Sequence, residues 1–299
     1  MITPTRSGIA VVAALAMFAA AALAASQGGG PMEVKIERKT CKAPDGVEIV
    51  YSVAGKGEPA LVFIHGGLAN RGFYDGQLKA FAARHKVIAP DLAGHGESGA
   101  GRTKWGIPEF GADVKAVIDA EKAVKVIIFG NSLGGPVAIE TALLLPGRTV
   151  GVVGIDTFQL LEGVMTPEEV RQRAEYFEKD YAGALKAMVG MLFHKDADPA
   201  VVADAEKRMS GTSPAVAKAM FLGMAGYDMG APAARLAAPL RTINGDLYPT
   251  DVAANRKLKP DFDAVIMIHM GHYPMLERPD EFNRRVAEVV AALTKLSGE

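Results

Sequence analysis

Gly130-Asn131-Ser132-Leu133-Gly134-Gly135 constrains this chain more than any other stretch. An apolar, β-branched run, Val124-Lys125-Val126-Ile127-Ile128-Phe129, precedes it, and a helix-forming run from Pro136 to Leu145 follows. Strand, Gly-x-Ser-x-Gly, helix is the context of a sharp elbow with a serine at its apex. Side chains two before and two after that serine would collide, so glycine is required at Gly130 and Gly134. The serine hydroxyl is then exposed, and the first N–H groups of the following helix point towards it.

The rest of the chain supplies a core large enough to hold such a turn rigid. Of 299 residues, 49% are apolar and 22% charged, an ordinary globular balance. The formal charge of −1 and the scattered lysines and arginines give no electrostatic case for nucleic acid or an anionic membrane. Residues 1–25 read as a signal peptide or an uncleaved anchor. Arg6 precedes an alanine-rich apolar run that closes on Ala22-Leu23-Ala24, a small-x-small cleavage pattern. Residues 26–33 read as a flexible spacer. Export to a periplasm or the outside is expected, with no stable membrane association after cleavage. Cys41 is the single cysteine, so no internal disulfide is possible, and it is expected to be an unremarkable strand residue.

Val34–Cys41 and Val47–Ala54 alternate apolar and polar residues around Pro44-Asp45-Gly46, which predicts a hairpin. From Ala60 the pattern becomes apolar strands alternating with amphipathic helices. The predicted strands are Ala60–Ile64, Lys86–Ala89, Val124–Phe129, Val150–Ile155, Leu240–Ile243 and Asp263–Ile268. Runs apolar on both faces and separated by helices predict an α/β fold with a mostly parallel central sheet covered on both sides. In such a sheet His65, Ser132, Asp156, Asp246 and His272, each just after a strand, converge on one rim. Residues 34–156 and 237–299 would form this core. The 157–236 segment has no convincing strand. Thr166-Pro-Glu-Glu predicts a capped helix start, with a run to Phe193 that continues or divides near Gly183. Pro199–Met209 and Pro214–Gly226 predict two more helices. Seven methionines lie in this segment, and a subset is expected to form an adaptable apolar wall.

Three further segments give a resemblance to the α/β-hydrolase superfamily. Leu61-Val-Phe-Ile-His65-Gly66-Gly67-Leu68 is similar to that family's strand and His-Gly loop. Pro90-Asp91-Leu-Ala-Gly94-His95-Gly96-Glu-Ser98 is similar to its Asp-x-x-Gly-His-Gly-x-Ser loop. Val265 to Pro279, with Gly271-His272, resembles its last strand and histidine loop. The resemblance runs from about Val47 to about Val290 and implies the α/β-hydrolase fold, with 157–236 as an inserted helical cap. It implies Ser132 as nucleophile, His272 as the base that takes its proton, and the backbone N–H groups of Gly67 and Leu133 as an oxyanion hole. His269 and His272 are three apart, but no acid or cysteine lies near them in sequence, and a metal pair is not expected. The acid stays open. In the family it usually lies three residues beyond a glycine ending the seventh strand, where this chain has Tyr248. Asp246, in a shortened loop, is the first choice; Asp156 is the alternative, at the position used by a minority; Asp251 is third and looks like a helix N-cap.

These residues predict a serine hydrolase that cleaves small carboxylic esters, thioesters or lactones through an acyl-enzyme, with water as second nucleophile. A serine at the elbow argues against haloalkane dehalogenase and epoxide hydrolase chemistry, whose relatives place aspartate there. Aminopeptidase or carbon–carbon bond hydrolase activity, and a non-catalytic small-molecule sensor, are the alternatives. No nucleotide, metal or flavin motif is visible, so no cofactor is expected. The expected partners are a small-molecule acyl substrate and water.

Overall fold

The computed structural model of the protein describes residues 34–298. The 1–25 leader and the 26–33 spacer read from the sequence therefore lie outside the described residues, as does the export they imply. Eight strands form one sheet: β1 (Ile36–Lys42), β2 (Glu48–Ala54), β3 (Ala60–Ile64), β4 (Val87–Pro90), β5 (Val126–Asn131), β6 (Thr149–Ile155), β7 (Leu240–Gly245) and β8 (Asp263–Met267). Their order is β1-β2-β4-β3-β5-β6-β7-β8. The opening hairpin and its junction with β4 are antiparallel, and every later pairing is parallel.

β3 and β5 are buried at every residue, which is why they read as unbroken apolar runs. Both faces must then be covered. Helix α1 (Asp75–Phe81) packs with the long C-terminal helix α11 (Pro279–Ser297), and α2 (Ile107–Ala120) packs with α3 (Gly134–Leu143). α11 buries Phe282, Val286, Val289, Val290 and Leu293, a stripe at helical spacing, and Gly298 closes it in the left-handed region at φ 77°. In the sheet, the rings of Phe63 and Phe129 stack at 4.7 Å. Truncating either to alanine removes core area worth about 3–5 kcal/mol.

Between β6 and β7 the chain forms five helices: α4 (Pro167–Lys179), α5 (Tyr181–Leu192), α6 (Pro199–Met209), α7 (Pro214–Gly223) and α8 (Gly230–Arg235). The start of α4 is a capping box, with the Thr166 side chain accepting from the Glu169 N–H and the Glu169 carboxylate accepting from the Thr166 N–H. The run to Phe193 divides at Asp180 instead of continuing, because the Asp180 side chain caps α5 through the Gly183 N–H at 3.0 Å. α7 ends at Gly223, three residues before the sequence expectation, and α8 was not expected. A six-residue helix containing glycine and proline carries too little periodicity to be seen.

Candidate active site

β5 runs directly into the elbow. Ser132 adopts φ 51°, a left-handed backbone that costs a non-glycine residue on the order of 1–3 kcal/mol. A Cβ at Gly130 would collide with the backbone of Gly134, and one at Gly134 would sit 2.5 Å from the Ile64 carbonyl oxygen. The turn closes through the Gly135 N–H donating to the Ser132 carbonyl at 2.9 Å. The serine side chain is left half-buried at the start of α3.

His272 lies in the loop after β8, and its imidazole Nδ1 is 2.5 Å from Asp156 Oδ2. Asp156 follows β6 and is 1% exposed, and its Oδ1 accepts from the Gly245 N–H at 3.0 Å. An ionised carboxylate can only accept, so the proton sits on Nδ1 and the Nε2 lone pair is free to act as a base. This corrects the sequence expectation, which put Asp246 first. The histidine loop crosses directly over Gly245, where a Cβ would meet the Met270 and Gly271 carbonyls. Asp246 is left outside that crossing, exposed, and braces the loop by accepting from the Met270 N–H at 3.0 Å. Those backbone bonds hold its carboxyl below the usual range. Asp251 caps α9 (Val252–Leu258) through the Ala254 N–H at 2.8 Å, as its sequence setting suggested.

Ser132, Leu133 and His272 line a cavity of two adjoining lobes that share Leu192, Met224 and Tyr248. The larger lobe, about 530 Å³, runs between Ile107, Pro136, Thr157, Gln159, Met165 and Met229. The smaller, about 350 Å³, runs under the helical insertion between Gly67, Phe177, Met188, Met191, Met220 and Phe221. Six of the seven methionines, a subset of which was expected to form an apolar wall, therefore line the cavity: Met165 and Met229 the larger lobe, Met188, Met191 and Met220 the smaller, and Met224 both; Met209 is buried away from them. The Gly67 and Leu133 N–H groups have no backbone or side-chain acceptor among the described residues. Any Cβ at Gly67 would sit 3.1 Å from the Met220 methyl, so glycine keeps this part of the lobe open.

Residues 61–285 match the profile of the alpha/beta hydrolase family, three-quarters of the chain. The chain belongs to that family. A Pseudomonas putida protein, the dihydrolipoyllysine-residue acetyltransferase component of an acetoin cleaving system, is 27% identical over 79% of this chain, and the match spans 64% of that protein's length. The pimeloyl-[acyl-carrier protein] methyl ester esterase of Nitrosospira multiformis is 23% identical over 79% of this chain and 95% of its own. Among solved structures, Est816, described as an N-acyl homoserine lactone degrading enzyme, superposes with a TM-score of 0.70 at 28% identity, covering 84% of this chain and 99% of that one.

In this hydrolase the two loop histidines are structural. The His65 Nε2 accepts from the Leu92 N–H at 3.0 Å, which assigns the proton to Nδ1, 2.7 Å from the Gly66 carbonyl. Burial pushes His65 down to about 4 and His95 down to about 3, so both are neutral. His194 and His269 meet at 5.7 Å between ring centres, and no cluster of three or more metal-ligating side chains occurs among the described residues. Cys41, half-buried on β1, has its thiol pushed up to about 11 by burial, which keeps it protonated and inert.

Two residues that the sequence reading passed over hold the site together. Asn131, buried, donates from Nδ2 to the Ile155 carbonyl at 2.9 Å and to the His272 carbonyl at 3.0 Å. One side chain beside Ser132 thereby fixes the backbones that carry Asp156 and His272. Glu277 accepts from the Gly271 and His194 N–H groups at 3.2 Å and from the Tyr273 N–H at 3.3 Å. The His272 N–H donates to the Leu192 carbonyl at 2.7 Å. The turn after α5 is thus sewn to the histidine loop. Asn131 occupies the unspecified position of the elbow motif, and no motif assigns Glu277 a role, so only their long-range partners reveal them.

Proposed function

We propose that this alpha/beta hydrolase is a serine esterase. In this reading Ser132 attacks the carbonyl carbon of a small carboxylic ester, thioester or lactone while His272 Nε2 takes its proton. The Ser132 Oγ–acyl bond forms as the carbonyl π pair moves onto oxygen, and the resulting oxyanion accepts from the Gly67 and Leu133 N–H groups. Asp156 holds the imidazole in the required tautomer and stabilises the imidazolium. Collapse expels the alcohol, which takes the proton from His272, and water repeats the sequence to free the acid. The chain needs no cofactor for these steps.

The observation that carries the reading is the buried 2.5 Å contact between Asp156 and His272, on one cavity with an elbow serine and two amides without acceptors. The esterase and lactone-degrading activities named for the Nitrosospira protein and for Est816 support ester and lactone substrates. Hydrolysis of p-nitrophenyl acetate and butyrate by wild type and Ser132→Ala tests it. The reading requires turnover that the variant lacks, together with wild-type-only labelling by a fluorophosphonate. Equal turnover by both proteins, or a folded wild type that neither turns over nor labels, would sink it.

A further inference from the structure

One charged side chain, Arg173, lines the smaller lobe; the rest of that lobe is apolar or phenolic apart from Ser132 and His272. Arg173, Tyr176 and Phe177 stand at i, i+3 and i+4 on α4, so one face of the helix presents all three to the cavity. The guanidinium lies over the Phe221 ring at 5.9 Å, and that ring packs against Phe177 at 5.0 Å. The ring face attracts the cation without engaging its N–H groups in hydrogen bonds.

Most other charges on this helix have partners. Arg171 pairs with Glu168, Glu178 takes Lys218 at 2.7 Å, and Glu169, one turn before Arg173, spends its carboxylate on Thr166 at 2.8 and 2.9 Å. Arg173 has no hydrogen-bond or ion-pair partner among the described residues, and Glu169 reaches it only through longer-range attraction. A guanidinium held over a ring, without a protein acceptor among the described residues and lining an apolar lobe, can receive a carboxylate bidentately.

We propose that Arg173 is a specificity-determining residue, and that the hydrolase takes esters bearing a second, ionised carboxylate separated from the scissile carbonyl by an apolar spacer. The inference rests on the serine-esterase reading of the site. The spacer lies along Met188 and Met220, with the reacting carbonyl at Ser132 and the distal carboxylate at Arg173.

Two matched pairs of substrates test this and separate the acyl side from the alcohol side. One pair is monomethyl suberate and its terminal amide. The other is the butyrate ester of 6-hydroxyhexanoate and that of 6-hydroxyhexanamide. In one pair the wild type should show kcat/KM at least tenfold higher for the carboxylate than for the amide. Added salt should lower that ratio, Arg173→Gln should bring it to about one, and Arg173→Glu should invert it. Calorimetric binding of suberate against suberamide to the wild type gives a readout independent of turnover. If no ester is hydrolysed but suberate binds tighter in an Arg173-dependent way, the esterase reading fails and the anion subsite stands. Equal ratios in both pairs with equal binding, or a preference that survives Arg173→Gln, overturns the proposal.

Discussion

At the scale of single residues, the decisive contact is Asp156 with His272. The two are 116 residues apart, and which aspartate reaches the imidazole depends on where one loop crosses one strand. The elbow around Ser132 was legible because a sharp turn imposes local residue types, glycines at fixed offsets with a strand before and a helix after, whereas Gly67, Leu133 and His272 were reached through the family resemblance. No such local requirement marks the acid. Asp246 has the better sequence setting and loses because the loop passes over Gly245 and leaves it on the solvent side. Asp156→Asn should therefore lower kcat on p-nitrophenyl butyrate by ~10³–10⁴-fold, since the imidazole loses its tautomer and its counter-charge. Asp246→Asn should cost less than about tenfold, through a loosened loop alone. A larger loss for Asp246→Asn than for Asp156→Asn would reverse the assignment.

Among the elements, helices with chemical punctuation were readable and those without were not. Thr166, Asp198 and Ser213 each precede a proline and each caps its helix, so α4, α6 and α7 begin where the sequence says. α8 has Met229 at its N-cap, and the Asp228 side chain one residue earlier takes the Gly230 N–H at 2.9 Å, so no cap-then-proline signal announces it. The seam between α5 and the histidine loop is equally invisible, because backbone groups make most of it. Glu277→Gln tests that seam. Its amide oxygen can keep the Gly271 and His194 N–H groups, which share one carboxylate oxygen, but its NH₂ then faces the Tyr273 N–H, leaving that donor unpaired at a cost of about 1–3 kcal/mol. The variant should melt lower by several degrees and lose kcat several-fold, both read on the same preparation; an unchanged kcat would mean the loop is held without it. Gly271→Ala should be at least as damaging, because its Cβ would lie 2.5 Å from the His194 nitrogen and 2.7 Å from the Leu192 oxygen. Thermal melts compare the two directly.

For the whole molecule, the mostly parallel sheet follows from the alternation of apolar runs and helices, whereas its strand order and the division of the cavity into two lobes do not. Each lobe is assembled from helices that meet only after folding. If the lobes hold the two halves of an ester, Met165→Trp and Met188→Trp should raise KM for different substrate series, one varied in the acyl group and one in the alcohol. The same buried interior sets acid stability. His65 and His95 take protons near pH 6.5 when unfolded but only near 4 and 3 in the native state. Between those values the unfolded chain binds the protons, so stability is full above about pH 6.5 and falls as the pH drops, by about 1.4 kcal/mol per unit for each histidine. Urea midpoints at pH 7, 6 and 5 should decline less steeply for His95→Gln than for wild type. Parallel slopes would show that His95 titrates normally.

The seam from Leu192 to His194 also bears on how such a protein can be rebuilt. Exchanging the helical insertion for that of another family member is the obvious way to change what the cavity accepts. Here the insertion supplies the carbonyl that receives the His272 N–H and the N–H that Glu277 holds. A chimaera joined only at the ends of β6 and β7 would import a foreign turn against the His272 loop. A working graft has to keep Leu192-Phe193-His194 in place, with its junctions set on either side of that tripeptide.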